Sequence, residues 1–129
     1  MQRLVQWGIV GAVLLSAGVV VAGEKDASSV WVDTSQRHAN GGLGGARNSA
    51  DTTQSIGCAV FTWLGSAPLA VCFASDVKLT TGVCTSTDAN IRATALAVKG
   101  DSWIDFTWDA SGQCTSLEVN NKSSLEPKR

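Results

Sequence analysis

The 129-residue sequence has no cluster of lysine and arginine, and this shortage excludes two classes of partner. Ten basic and eleven acidic side chains give a formal net charge of −1 at pH 7. Nucleic-acid-binding proteins carry a basic patch that neutralises phosphates, and proteins held electrostatically at an anionic membrane surface carry a similar one. We therefore expect no nucleic-acid partner and no charge-dependent role at a membrane surface.

The chain is also poor in histidine, and His38 is the only one. A Ser-His-Asp or Cys-His mechanism requires a histidine that is held close to a nucleophile as the general base. His38 lies between Arg37 and a glycine-rich run, and nothing in the sequence indicates what would hold it there. We interpret His38 as an exposed residue without a catalytic role, and we predict no catalytic residues.

Motifs for metal ions and nucleotides are missing from the sequence. The four cysteines have no Cys-x-x-Cys spacing, which structural zinc sites usually show. No Asp-x-Asp-x-Asp-Gly calcium loop occurs, and the glycine-rich run lacks the Lys-Ser/Thr ending of a phosphate-binding loop. The sequence therefore predicts neither a metal site nor a cofactor.

The N-terminus has the pattern of an export signal. One arginine precedes an apolar run from Gly8 to Gly23, and small residues then offer a cleavage site after Ala22. This pattern predicts a signal peptide at residues 1–22 and a secreted or periplasmic protein. The run is shorter than the roughly 20 residues of a membrane-spanning helix. If the apolar run is extended towards the N-terminus, however, residues 4–23 could form an uncleaved membrane anchor, which is the alternative.

All four cysteines follow the predicted signal. An even number in a small exported chain favours two disulfides over four reduced, buried thiols. Four cysteines allow three pairings, of which we favour Cys72–Cys84 together with Cys58–Cys114. A hairpin centred near Lys78 would place Cys72 and Cys84 opposite each other, and this is the reason for that choice.

Composition divides the exported part of the chain into three segments. Residues 23–45 hold four closely spaced glycines and few side chains to bury, which predicts a flexible segment with at most a short strand at residues 30–32. Residues 46–120 are expected to form the folded, cystine-bonded domain. Residues 121–129 are expected to form a frayed, polar tail.

The clearest pattern of secondary structure lies at residues 102–119, where two alternating runs flank the turn at residues 109–112. A four-residue turn pairs Phe106 with Thr115. That register places five residues on one face: Ile104, Phe106, Trp108, Leu117 and Val119. The other face receives Trp103, Asp105, Thr107, Cys114, Ser116 and Glu118.

The remaining segments indicate the fold class. Three further strands are predicted at residues 55–64, 69–75 and 80–84. Residues 86–98 favour a helix, with Ser86 or Thr87 as its cap and Gly100 after its end, although alternation also permits a strand. We predict an α+β domain, a small antiparallel sheet of four to five strands with one helix packed on it. An all-β sandwich is the alternative if residues 86–98 form a strand.

Three stretches carry a resemblance to other proteins. They are Cys72-Phe-Ala-Ser-Asp76, Cys84-Thr-Ser-Thr-Asp88, and the run from Asp101 to Cys114 with Pro127-Lys128 near the end of the chain. Over residues 46–129 this arrangement resembles small secreted bacterial proteins that contain cystines and have no assigned activity. The resemblance implies export and says nothing about chemistry.

Trp103 is the best candidate for ligand contact, because the predicted hairpin turns it outward. Asp105, Ser116 and Glu118 share its face and offer hydrogen-bonding groups around an indole that can stack on a sugar ring or on a partner's side chain. In the alternative, other elements of the fold cover Trp103. Asp105 and Glu118 form a carboxylate pair, but a flat strand face lacks the cleft of a glycosidase.

These observations favour an exported, non-catalytic binding or interaction module. Its expected partner is an extracellular or envelope protein or a glycan, and a membrane enters only through an uncleaved N-terminal segment. A carbohydrate-binding domain that uses an exposed tryptophan is the alternative. A small secreted hydrolase is the least favoured function, because no base, nucleophile and orienting group can be assembled from the sequence.

Overall fold

The structure is a computed structural model that describes residues 28–125. The predicted signal peptide at residues 1–22, the alternative anchor at residues 4–23, and residues 126–129 of the predicted tail lie outside the described residues. None of the helices within residues 28–125 has the length and apolar character needed to cross a membrane.

Seven strands and two helices make up the described part of the chain. In chain order they are β1 (Trp31–Asp33), β2 (His38–Gly42), α1 (Leu43–Asn48), β3 (Ser55–Phe61), β4 (Leu69–Ser75), β5 (Thr81–Ser86), α2 (Ala89–Leu96), β6 (Trp103–Trp108) and β7 (Cys114–Asn120). The strands form two antiparallel sheets, a four-stranded one in the order β1-β2-β6-β7 and a three-stranded one in the order β3-β4-β5.

The core lies between the two sheets and draws on the inner face of each. Ile104 and Phe106 of β6 are the largest fully buried side chains, and the four-stranded sheet adds Val32 and Ala39. The three-stranded sheet supplies mostly smaller side chains to the same cluster: Ile56, Cys72, Ala74 and Cys84. The sequence predicts this arrangement at β6, because alternation places Ile104 and Phe106 on one face.

The predicted class, an α+β domain bonded by disulfides, is confirmed. The strands are divided between two sheets, whereas the sequence led us to expect one sheet of four to five strands. The helix prediction for residues 86–98 is also confirmed, since α2 occupies Ala89–Leu96. Its cap is Asp88, not Ser86 or Thr87, and the carboxylate accepts hydrogen bonds from the backbone of Asn90 and Ile91 at 2.9 and 3.0 Å.

The flexible segment predicted at residues 23–45 is wrong for residues 31–45, which form β1, β2 and the start of α1. The glycines allow neighbouring backbone segments to approach each other closely. A Cβ atom at Gly41 would lie 2.9 Å from the Cα atom of Val30, so a larger residue could not occupy that position without moving the chain. The folded domain therefore begins well before residue 46.

The hairpin of β6 and β7 exists, but its register differs from the prediction. Phe106 pairs with Leu117 rather than with Thr115, and Ile104 pairs with Val119. The shift is two residues, and alternation has a period of two, so Leu117 and Val119 keep the inner face that the sequence gives them.

A β-bulge next to the turn accounts for the altered register. Thr107 pairs with Ser116, while the neighbouring Trp108 pairs with Cys114, which leaves Thr115 as an extra residue. The extra residue exchanges the faces on the far side of the bulge. Cys114 therefore packs against the core beside Trp108, and its predicted outward position is wrong.

The disulfides are Cys58–Cys72 and Cys84–Cys114, so both predicted pairs are wrong. Cys72 does lie opposite Cys84, as the hairpin argument required, but β4 is the central strand and Cys58 lies opposite on its other side. The Cα atoms of Cys58 and Cys72 are 4.1 Å apart. The inward turn of Cys114 brings it to Cys84, with 4.9 Å between their Cα atoms. Two disulfides indicate an oxidising, extracytoplasmic environment.

The domain also extends past residue 120, where the tail was predicted to begin. The side chain of Asn121 accepts a hydrogen bond from the Ser102 hydroxyl and donates one to the carbonyl of Ala97 at 3.2 Å. Leu125 is buried. Residues 121–125 are therefore packed on the domain.

Candidate functional site

The outer face of the four-stranded sheet carries polar groups and two tryptophans, and we call it the polar face. It consists of Trp31, Asp33, His38, Asn40, Trp103, Asp105, Thr107, Ser116, Glu118 and Asn120. In the strand register, Asp105 lies between Asn40 and Glu118. All four residues that the sequence proposed for ligand contact, Trp103, Asp105, Ser116 and Glu118, lie on this face.

A cavity of about 360 Å³ opens at one end of the polar face. Its lining consists of Ser28, Trp103, Glu118, Asn120, Lys122, Ser124 and Leu125. The volume falls within the range of small-molecule pockets. Trp103 and Glu118 of the proposed site line the cavity, whereas Asp105, the register partner of Glu118, and Ser116 lie on the same face outside the lining.

The Glu118 carboxylate is held in place by its neighbour two residues along β7. The side-chain amide of Asn120 donates a hydrogen bond of 2.6 Å to Oε1 of Glu118. Asn120 is also the register partner of Trp103. The cavity therefore combines an indole surface with an oriented carboxylate and a neighbouring amide.

His38 and Asp105 form a hydrogen bond in the middle of the polar face. Nε2 of His38 lies 2.7 Å from Oδ2 of Asp105, and both side chains are partly buried. The indole of Trp31 meets the imidazole edge-on, with 5.2 Å between ring centroids. The interpretation of His38 as an exposed residue is therefore wrong, because the pairing of β2 with β6 holds it against Asp105.

The hydroxyl groups of the polar face bond to one another. Oγ1 of Thr107 lies 2.7 Å from Oγ1 of Thr115 and 2.6 Å from Oγ of Ser116. The β-bulge creates this contact, since it places two residues of β7 opposite Thr107. Ser116, proposed for ligand contact, is thus part of a hydroxyl cluster.

Asp33 contributes a second carboxylate beside the imidazole, because its register partner is His38. The Ser35 hydroxyl donates a hydrogen bond of 2.6 Å to Oδ1 of Asp33, and the backbone of Ser35 and Gln36 donates two more. The Ser35 hydroxyl is the main cause that lowers the pKa of the Asp33 carboxyl below its ordinary value. Asp33, Asp105 and Glu118 make the polar face predominantly acidic.

Residues 28–125 contain no group of three His, Cys, Asp or Glu side chains arranged to hold a metal ion. All four cysteines are in disulfides, so the chain has no free thiol. Comparison of the chain with protein-family models, with curated proteins and with solved structures gives no match.

The sequence predicted the part of the polar face that β6 and β7 form, but not the part that β1 and β2 form. Alternation along β6 and β7 places Trp103, Asp105 and Glu118 together, and this required no knowledge of the rest of the fold. The contribution of β1 and β2 was missed, because His38 and Asp105 are 67 residues apart in the sequence. The weak strand pattern at residues 30–32 was the one local signal for these two strands.

Proposed function

We propose that this protein is an exported, non-catalytic binding module, secreted or periplasmic, that holds its ligand on the polar face. The observation that carries the proposal is the cavity of about 360 Å³ in which Trp103 lies beside Glu118 and Asn120. An indole at an open cavity offers apolar surface to a ligand, and the carboxylate and amide beside it offer an acceptor and a donor.

The arrangement around His38 supports binding more than catalysis. A general base acts on a nucleophile within hydrogen-bonding reach, in a site from which water is excluded. His38 is instead paired with Asp105 on an open sheet face, and the nearby hydroxyls of Thr107 and Ser116 are bonded to each other. We assign the His38–Asp105 hydrogen bond the role of fixing the rotamers of these two side chains on the polar face.

The second candidate function is carbohydrate binding, with a sugar as the specific ligand of this module. A sugar ring has an apolar face of C–H groups that stacks on an aromatic ring, and its hydroxyls donate to carboxylates and accept from amides. Trp103, Glu118 and Asn120 supply these three functions at one cavity. The alternative ligand, an extracellular or envelope protein, would use the same indole as an anchor.

The test is a glycan array probed with the wild-type chain, followed by calorimetry with each soluble oligosaccharide that binds. Trp103→Ala should weaken binding at least about tenfold, because it removes the stacking surface. Trp63→Ala is the matched control, since Trp63 is exposed but lies just beyond the end of β3 and outside the polar face, and it should bind as the wild type does. Thermal melting of both variants checks that they fold.

Two results would contradict this function. If Trp103→Ala and the wild type bound the ligand with equal affinity, the cavity would not be the binding site. Turnover of a hydrolase substrate that disappears in His38→Ala would show that the His38–Asp105 pair is catalytic and that the protein is an enzyme.

A further inference from the structure

The three-stranded sheet turns most of its large apolar side chains away from the core, and Ile56 of β3 is the exception that points inward. The apolar residues of its outer face, which we call the apolar face, are Ala59, Phe61, Leu69, Val71, Phe73 and Val83, and β5 adds Thr81 and Thr85 at one edge. The inner positions of β4 and β5 hold small residues: Ala70, Cys72, Ala74, Gly82, Cys84 and Ser86. A strand in a globular protein normally does the reverse and buries its largest apolar side chains.

The exposure of this face is substantial. Phe73 is 42% exposed, Phe61 47% and Val83 51%. Phe61 stacks on Trp63, with 5.9 Å between ring centroids, which extends the face beyond the end of β3. Contiguous apolar surface of this kind marks an interaction site in a soluble protein.

The face is also free of charge. β3, β4 and β5 contain no charged residue, and none occurs in the sequence between Asp51 and Asp76. Two identical faces can therefore meet without burying a charge and without repulsion between like charges. A partner that recognises charge gains nothing here, whereas a second copy of the same face is complementary to it.

The area is sufficient for a dimer. Phe61, Trp63 and Phe73, each about half exposed, present on the order of 300 Å² of aromatic surface. Val83 and the partly buried Leu69 and Val71 of the same face raise this to roughly 500 Å². A specific interface buries at least about 1,000 Å² in total, which is about 500 Å² on each partner.

We propose that two copies of this chain associate through their apolar faces as a symmetric dimer. The twofold axis brings the same residues of each copy into contact, as in other isologous interfaces. The two three-stranded sheets then pack face to face, with about 10 Å between them. The polar faces remain on the two outer sides of the dimer.

The experiment is sedimentation velocity on the mature wild-type protein over a range of concentrations. At about 100 μM the wild type should sediment with the mass of a dimer and dissociate on dilution. Phe73→Lys should raise the dissociation constant at least about a hundredfold, because the dimer would bury two unpaired ammonium groups. Since Phe73 is already exposed in the monomer, this variant should keep the wild-type circular dichroism spectrum.

Trp31→Lys is the matched control, because Trp31 is 43% exposed but lies on the polar face. It should dimerise as the wild type does. Val83→Lys is a second test of the same face and should dissociate the dimer even if Phe73→Lys folds poorly. A wild type that stays monomeric at about 100 μM, or a Trp31→Lys variant that dissociates as readily as Phe73→Lys, would overturn the proposal. A monomer that binds phosphatidylcholine vesicles would overturn it as well and assign the apolar face to a membrane.

Discussion

The outer faces of the two sheets differ completely in composition. The four-stranded sheet presents three carboxylates, a histidine bonded to one of them, and hydrogen-bonded hydroxyls, whereas β3, β4 and β5 contain no charged residue at all. The inner faces differ in the size of their side chains, and the larger ones belong to the four-stranded sheet. β6 sends Ile104 and Phe106 inward, and β4 sends Ala70, Cys72 and Ala74. Alternation of apolar and polar residues describes the first sheet well, but in the second sheet both faces are apolar and side-chain size decides which one is buried.

The limited space between the sheets explains this division. A Cβ atom at Gly82 would lie 2.6 Å from Cη2 of Trp108, so the inner face of β5 has no room for a side chain at that position. The Cys84–Cys114 disulfide crosses the same region and ties β5 to β7. Because the largest core residues come from the four-stranded sheet, β4 and β5 of the opposing sheet can contribute only small ones. Its large apolar residues are left on the outside, where a second copy of the chain would bury them.

The two proposals together describe a bivalent protein. In a dimer formed through the apolar faces, the polar faces point in opposite directions, and each retains its own cavity beside Trp103. Such a dimer would connect two ligands that lie on opposite sides of it, and it would not engage one surface with both sites. Abundant free ligand should therefore leave the dimer intact, because neither polar face takes part in its interface.

The largest effect is expected from removing a phenylalanine from each sheet. Phe106→Ala should lower the free energy of unfolding by about 3–5 kcal/mol, because it leaves a cavity at a fully buried position. Phe73→Ala should lower it by no more than about 1 kcal/mol in the monomer, since Phe73 is 42% exposed. Urea denaturation at low protein concentration measures both. Equal losses would mean that the apolar face is covered within a single copy.

Removal of either of the two disulfides should cause the next largest loss of stability. Their removal frees the unfolded chain, at a cost of about 3 kcal/mol for Cys58→Ala/Cys72→Ala and about 3–4 kcal/mol for Cys84→Ala/Cys114→Ala, whose residues are 30 apart in sequence. The second pair also joins the two sheets, so its loss should reduce protection of β5 amides against hydrogen exchange more than the first. A larger loss of stability in Cys58→Ala/Cys72→Ala would contradict this ranking.

The sequence predicted what depends on neighbouring residues and failed where distant segments meet. Alternation fixed the faces of Ile104, Phe106, Trp103 and Asp105, and a run of helix-favouring residues after a capping residue located α2. The cysteine pairing failed because Cys72 has a cysteine opposite on each side, and only the three-dimensional arrangement of the strands decides between them. Position along the chain offers no means of choosing.

The candidate site shows the same limit. Trp103 and Glu118 follow from the hairpin, but Ser28 lies far from it in sequence, and Leu125 falls in the segment that was predicted to be a polar tail. His38 was dismissed because glycines were taken as a sign of flexibility. At Gly41 the glycine instead permits close contact with Val30, and this contact helps to form the strand that carries His38. A glycine-rich run is compatible with both interpretations, and packing of the whole domain distinguishes them.

The smallest change in the free energy of unfolding is expected when alanine replaces either of two glycines on opposite faces of the three-stranded sheet. Gly82→Ala forces the ring of Trp108 to move and should lower the free energy of unfolding by about 1–3 kcal/mol. Gly57→Ala should change it by less than about 0.5 kcal/mol, because the new Cβ atom would lie 3.8 Å from the Phe73 ring, an ordinary contact on the outer face. Urea denaturation compares the two, and near-ultraviolet circular dichroism reports on Trp108. Trp108→Phe in the Gly82→Ala background should recover part of the loss, since the smaller ring leaves room for the methyl group. If Gly57→Ala were the more damaging variant, the inner face would not be the crowded one, and crowding could not be the reason that the large residues lie outside.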